Sequence, residues 1–183
     1  MRVPSERGET AWHYTTAAKL AAILRSGQLR PATAGVPASE RPVVWFSTEP
    51  DWEPTACKMA FVPSRGLIRL NRDQTAALGG GLARIGIDAA ILVGWPALAR
   101  RANIHPEIVR ELESGGHAQG AHPERWYGYI GTISASDPRL RWEVLSGGVW
   151  VAIAETSGAE GSADVRRGGV RNGGVDSRAG MRL

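Results

Sequence analysis

The sequence predicts a mixed α+β domain, a mainly antiparallel sheet with short flanking helices. Two observations carry that expectation. Strand-like runs follow one another at 126–133, 140–145 and 149–153 with no helical crossover between them, and strands joined without crossovers pair antiparallel. The helical periodicities are short, and each is closed by a cap or by glycine, which suits helices that flank a sheet.

In chain order, AWHYT at 11–15 reads as a strand from its aromatic and hydroxyl content. Thr15 or Thr16 then caps a helix, because a hydroxyl accepts a bond from a free N–H of the first turn. Leu20, Ile23 and Leu24 fall on one face of it, and Gly27 supplies a left-handed stop. Residues 28–42 hold three prolines and a glycine and read as a loop. PVVWFST at 42–48 is the second strand, ended by EPDWEP. RGLIRL at 65–70 is the third, and RDQTAAL continues as a short helix that stops at Gly79 to Gly81. AAILVGW at 89–95 suits a buried strand, and by composition a helix equally. Pro96 fits the first turn of ALARRA, and HPEIVRELESGG is a further helix closed by glycine. WYGYIGTI, LRWEVL and VWVAI are the closing strands, the last two joined by a hairpin at Ser146, Gly147 and Gly148.

At 183 residues, 43% of them apolar, the chain can build one domain with a full core. Composition changes near residue 154. The stretch from Glu155 to Leu183 has seven glycines and no aromatic residue, so it has little to bury and is expected to be a disordered tail. The expected folded unit is 9–154. Seven tryptophans, at 12, 45, 52, 95, 126, 142 and 150, suit a core or a ligand cleft with planar walls. The single cysteine, Cys57, allows no internal disulfide and fits a reducing cytoplasm. No run of about eighteen apolar residues predicts a membrane span, and MRVPSERGET lacks the apolar segment of a secretory signal. The net charge of +4 comes from 20 arginines and 2 lysines. The arginines are scattered, so the charge permits nucleic-acid contact without pointing to it.

Several chemistries are missing from the sequence. His13, His105, His117, His122 and Cys57 show no paired short spacing of the kind that clamps zinc, and no metal is expected. Gly79 to Gly81 lacks the downstream Lys-Ser/Thr of a phosphate loop. No Gly-x-Ser-x-Gly elbow occurs, and Cys57 has no recognisable catalytic partner.

What remains is a set of polar residues on strands. Side chains alternate along a strand, so Trp12 and Tyr14 share one face while His13 and Thr15 share the other. Val44, Phe46 and Thr48 likewise oppose Val43, Trp45 and Ser47, and Leu140, Trp142 and Val144 oppose Arg141, Glu143 and Leu145. Taken singly, Glu143 reads as a solvated carboxylate and His13 as a half-buried core histidine. Their order along the chain reads otherwise. WHYTTAAKLAAILRSGQLRPA, then VVWFST and later LRWEVL, resemble the ADP-ribosyltransferase-like superfamily, in its histidine-first branch.

That resemblance implies a split, mainly antiparallel sheet and NAD as a substrate, with no metal. His13 would hold the nicotinamide-side ribose and, with Glu143, form the catalytic pair. Tyr14 and Thr15 beside His13, and Ser47 and Thr48 on the second strand, would line the cofactor site, with Trp45 or Phe46 as the surface that stacks on nicotinamide. Glu124, just before RWYGY, is a rival carboxylate. The chain has no arginine at position 13 and no Glu-x-Glu around 143, which separates it from the arginine-based toxin branch and from arginine-modifying enzymes. Such chemistry is coherent. Breaking the nicotinamide–ribose bond builds positive charge on the sugar, and a carboxylate stabilises it as it develops. The implied activity is transfer of ADP-ribose to a macromolecule, protein or nucleic acid, in the cytoplasm and with no membrane association. Two alternatives stand beside it: a phosphotransferase-like relative of the same fold acting on nucleic acid, and a non-catalytic binding domain with a tryptophan-rich cleft.

Overall fold

The structure, a computed structural model, describes residues 8–153. The tail expected at 155–183 lies outside the described residues.

β1 (Thr10–Thr16) runs directly into α1 (Ala17–Ser26), where Thr16 Oγ1 accepts from the Lys19 amide at 3.4 Å and Gly27, at φ 68°, ends the helix. Of the expected apolar face, Leu20 is buried and Ile23 packs on the core, but Leu24 points to solvent. The expected loop contains one short strand, β2 (Gln28–Leu29), before β3 (Val43–Ser47). Beyond the breaker, β4 (Met59–Val62) and β5 (Gly66–Arg69) form a separate hairpin, of which the sequence suggested the second strand alone. α2 (Arg72–Gly79) opens on a capping box between Asn71 and Gln74 and stops at Gly80.

The largest departure from expectation follows α2. The next strand is β6 (Leu82–Asp88), LARIGID, instead of a run at 89–95. An arginine and a glycine in its middle hide it from a hydrophobic pattern, yet every residue before Asp88 is buried. Asp88 then ends it by accepting the Ala90 amide at 2.9 Å, so 89–91 form a tight turn and β7 (Val93–Gly94) is all that remains of the expected strand. α3 (Ala97–Arg101) and α4 (Pro106–Ala118) follow. α4 runs through its glycines rather than stopping at them. A Cβ on Gly116 would lie 2.5 Å from the Trp126 ring, so this glycine lets the helix settle on that indole. The expected strand at 126–133 splits at Gly131 (φ 120°) into β8 (Trp126–Ile130) and β9 (Ile133–Ser134), which join different sheets. β10 (Arg141–Ser146) and β11 (Val149–Ala152) are joined by Gly147 and Gly148, at φ 58° and 83°, as a two-residue type I′ hairpin turn requires.

The main sheet has the order β11-β10-β6-β1-β3-β8-β7, and all its pairings are antiparallel. β2 pairs with β9 in a small second sheet. At the centre, β1 matches β6 along its full length, from Thr10 opposite Asp88 to Thr16 opposite Leu82. On its other side β1 meets β3 through one register pair, Trp12 with Ser47. The sheet therefore has a loosely joined seam between two well-paired halves.

Directly opposite residues share a face, so register sorts the core. One face carries Ala11, Phe46, Val44, Ile85, Ile87 and Trp142, packed with Leu20 from α1. The other carries Tyr14 and Leu82 with Trp52, flanked by Trp12, Leu145 and Trp150, and, across the seam, Val43 with Leu98 and Ala102. Gly86 sits on that second face directly beneath the Trp12 indole, where a Cβ would come within 2.5 Å of the ring. Gly86→Ala should therefore lift the indole off the sheet and cost about 2 kcal/mol, in the range of overpacking. Urea denaturation against the wild type checks it, and an unchanged midpoint would mean that the ring is free to move.

Candidate functional site

The register settles which of the sequence-derived site residues can meet. His13 lies opposite Ile85, which lies opposite Trp142, whereas Tyr14 lies opposite Arg84, which lies opposite Glu143. His13 and Glu143 therefore project from opposite faces of the sheet. Thr15 goes with His13, and its neighbour Phe46 makes an edge contact with the His13 ring at 5.8 Å. Tyr14, Trp45 and Ser47 go with Glu143. The eight residues form no single pocket.

Most of them are also engaged or enclosed. Phe46 and Thr15 are buried core residues and present no open surface to a ligand. Ser47, buried as well, accepts the Glu49 amide on its Oγ at 3.1 Å. Trp45 leans on Trp95, ring centres 5.9 Å apart, and Trp95 in turn on Trp126 at 5.7 Å. The stacking surface expected from Trp45 or Phe46 is thus used inside the fold. Burial pushes the Tyr14 phenol well above its ordinary pKa, and its hydroxyl donates to the Glu49 carbonyl.

Glu143 holds Arg84. Its Oε2 accepts from Arg84 Nε at 2.7 Å and lies 2.6 Å from Nη2, with both side chains largely buried. The guanidinium is also held between two indoles, its Cζ 3.8 Å from the centre of Trp12 and 4.4 Å from that of Trp150. Its Nη1 donates to the Pro50 carbonyl at 2.6 Å. Tyr14, Arg84 and Trp150 thus bind three successive carbonyls, of Glu49, Pro50 and Asp51, the last at 3.1 Å from Trp150 Nε1. The 49–51 segment is strapped to this face by one side chain from each of β1, β6 and β11.

His13 crosses the seam. Its Nδ1 lies 2.8 Å from the Trp45 carbonyl. A carbonyl accepts and cannot donate, so Nδ1 carries the proton and Nε2 is left as an acceptor. Burial lowers the imidazole pKa from 6.5 to about 4, the Lys58 charge adding to the effect and the Trp45 bond opposing it. At neutral pH the ring is uncharged.

An open cleft of about 560 Å³ lies at the end of the seam, where β1 begins, β3 ends and β8 begins. Thr48 and Trp12 line it together with Glu9, Glu124, Arg125 and Tyr127. Of the sequence-derived set, Thr48 reaches it, and so does the rival carboxylate Glu124. Arg125 bonds Glu49 at 2.5 Å, its carbonyl accepts the Thr48 amide at 3.0 Å, and Glu124 lies 3.5 Å from His122 Nδ1. Trp12 alone of the seven tryptophans borders the cleft. Sequence reasoning missed Glu9, Arg125 and Tyr127, which carry no motif, and Arg84, whose signal was a charged residue alternating with apolar ones in LARIGID. Among the described residues, no group of three or more His, Cys, Asp or Glu could hold a metal, and no helix is long and apolar enough to cross a membrane. No family model, curated protein or solved structure compared with the chain matches it.

The roles of Glu143 and His13 lead to two expected outcomes. Glu143→Gln should cost on the order of 2 kcal/mol in unfolding free energy, since it strips a largely buried arginine of its counter-ion. Glu124→Gln, at an exposed side chain, should leave the same denaturation curve unmoved. For His13, the unfolded ring takes up a proton near pH 6.5 and the folded ring only near 4. Over that window the unfolded chain binds the extra proton, so stability falls as pH falls, by about 3 kcal/mol in all. His13→Asn keeps an N–H donor near the Nδ1 position and does not titrate. Urea titrations at pH 7 and pH 4 should show the wild type losing more stability than the variant.

Proposed function

We propose that the chain transfers ADP-ribose from NAD to a macromolecular acceptor, protein or nucleic acid, with NAD lying in the cleft at the end of the β1–β3 seam. The observation that carries this reading is the company kept in that cleft. Glu124 and Glu9 supply carboxylates, Thr48 a hydroxyl, Trp12 and Tyr127 aromatic surface, and Arg125 a cation beside them. A dinucleotide with a cationic leaving group and a diphosphate asks for that set of groups, and the volume falls within the range of small-molecule sites. The loosely joined seam also accords with the split sheet that the sequence resemblance implies.

In this reading Glu124, and not Glu143, is the catalytic carboxylate, because Glu143 is bound to Arg84 while Glu124 is open to the cleft. The bond between ribose C1′ and the nicotinamide nitrogen breaks, and its electron pair leaves with nicotinamide, which becomes neutral. Positive charge grows on the ribose, and the Glu124 carboxylate stabilises it. The acceptor attacks C1′ and gives up its proton to solvent water at the open cleft. Thr48 and the aromatic walls orient the sugar and the ring. Arg125 is held at the rim by Glu49 and faces the diphosphate.

A second reading has its own observation. His13 and Glu143, the two groups the sequence offers as catalytic, are both engaged inside the fold, which favours a domain that binds a nucleotide in the same cleft without turnover. Release of free nicotinamide from NAD separates the two. The transferase reading expects release, and a loss of about 100-fold in rate on Glu124→Gln with little change in NAD affinity. NAD binding without release supports the binding domain. Neither binding nor release would remove both.

A further inference from the structure

Among the described residues, β11 is the outermost strand of the main sheet and pairs with β10 alone. VWVAI at 149–153 has no charge and no proline, two of the devices by which natural edge strands avoid pairing with another chain. The opposite edge, β7, is two residues long. On β11, Val149 is 61% exposed, Val151 45% and Ile153 37%. Val151 lies opposite Val144, and the Ile153 amide donates to the Trp142 carbonyl at 2.8 Å. These three side chains therefore extend the apolar face of Trp142 and Val144 outward, past the last strand.

The same bond fixes where the free backbone groups point. Hydrogen-bonded pairs alternate along an antiparallel ladder. With Ile153 bonded to Trp142, the groups of Val149, Val151 and Ile153 face β10, and those of Trp150 and Ala152 face the open edge.

We propose that this edge pairs with the same edge of a second copy of the chain, antiparallel, with Val151 on the two-fold axis. In that register Trp150 of each copy exchanges both backbone bonds with Ala152 of the other, so each outward-facing group of these two residues finds a partner. Val151 meets its own equivalent as a non-hydrogen-bonded pair, the type in which side chains approach most closely. Val149 and Ile153 fall opposite each other on either side, and the exposed apolar stripe of one copy covers that of the other. On the reverse face the register sets the large Trp150 beside the small Ala152. The strand is thus complementary to itself in both shape and polarity, which a closed two-fold interface needs.

Light scattering on the full chain should give a dimer mass. Val151→Lys, which sets two ammonium groups across the axis, should shift it to a monomer while circular dichroism keeps the sheet signal. Val151→Cys in a Cys57→Ser background should form a disulfide-linked dimer under mild oxidation, and this second variant reads the register without a buried charge. A full chain that stays monomeric at every attainable concentration overturns the proposal, whatever covers the edge instead, the chain's own residues beyond 153 included. A dimer that survives Val151→Lys and does not crosslink through position 151 overturns it as well.

Discussion

Much of this molecule depends on one guanidinium. Arg84 stands on a central strand, on the face that carries Trp12, Tyr14, Leu82 and Trp150, and is 8% exposed. A lone charge there would be costly. Here it is balanced on every side: by the Glu143 carboxylate, by the Pro50 carbonyl, and by the π-faces of Trp12 and Trp150. Indole is the aromatic surface best suited to a cation, and a partly desolvated contact is worth roughly 1–2 kcal/mol. The arrangement also fixes geometry. Trp12 can lie low enough to reach Arg84 because Gly86 has no side chain beneath it. The 49–51 strap can close because Arg84 takes its middle carbonyl while Tyr14 and Trp150 take the outer two.

The cleft inherits its walls from that hub. Trp12 forms one wall and is positioned by Arg84, while the strap carries Glu49, which positions Arg125. Glu143 therefore acts on the cleft at one remove, through Arg84 and Trp12. Its loss would be felt in stability and in the placing of the cleft wall. The seam adds a different property. β1 is locked to β6 over its full length and to β3 through one pair, so the two halves of the sheet can part there at less cost than elsewhere. The His13 bond to the Trp45 carbonyl spans that weak line, and it rests on a neutral ring.

Legibility in the sequence followed the range of the interaction. Local features were readable: the Thr16 cap and Gly27 stop of α1, the start of α2, and the Gly147–Gly148 hairpin each depend on a few adjacent residues. Alternation within each strand was readable too. Register between strands was not, and register decides whether His13 and Glu143 face the same space. β6 was hidden because its two least strand-like residues, Arg84 and Gly86, are explained by partners from other strands: Glu143 and the two indoles for one, the Trp12 ring for the other. Gly116 was misread for a similar reason, since the cause of that glycine is Trp126 and not the end of the helix. The cleft residues Glu9, Arg125 and Tyr127 come from three places in the chain that only the β1–β3–β8 order brings together.

The position of the cleft within the strand order bears on how two copies would sit. It lies by β1, β3 and β8, and in the strand order β6 and β10 stand between β1 and β11. A two-fold pairing through β11 places its axis perpendicular to the sheet and joins the two sheets edge to edge. Equivalent faces then lie on the same side, and equivalent strand ends point in opposite directions. Each cleft opens at the end where β1 begins, so the two would open toward opposite ends of the joined sheet, each separated from the interface by its own β6 and β10. Covering the apolar edge therefore closes neither cleft.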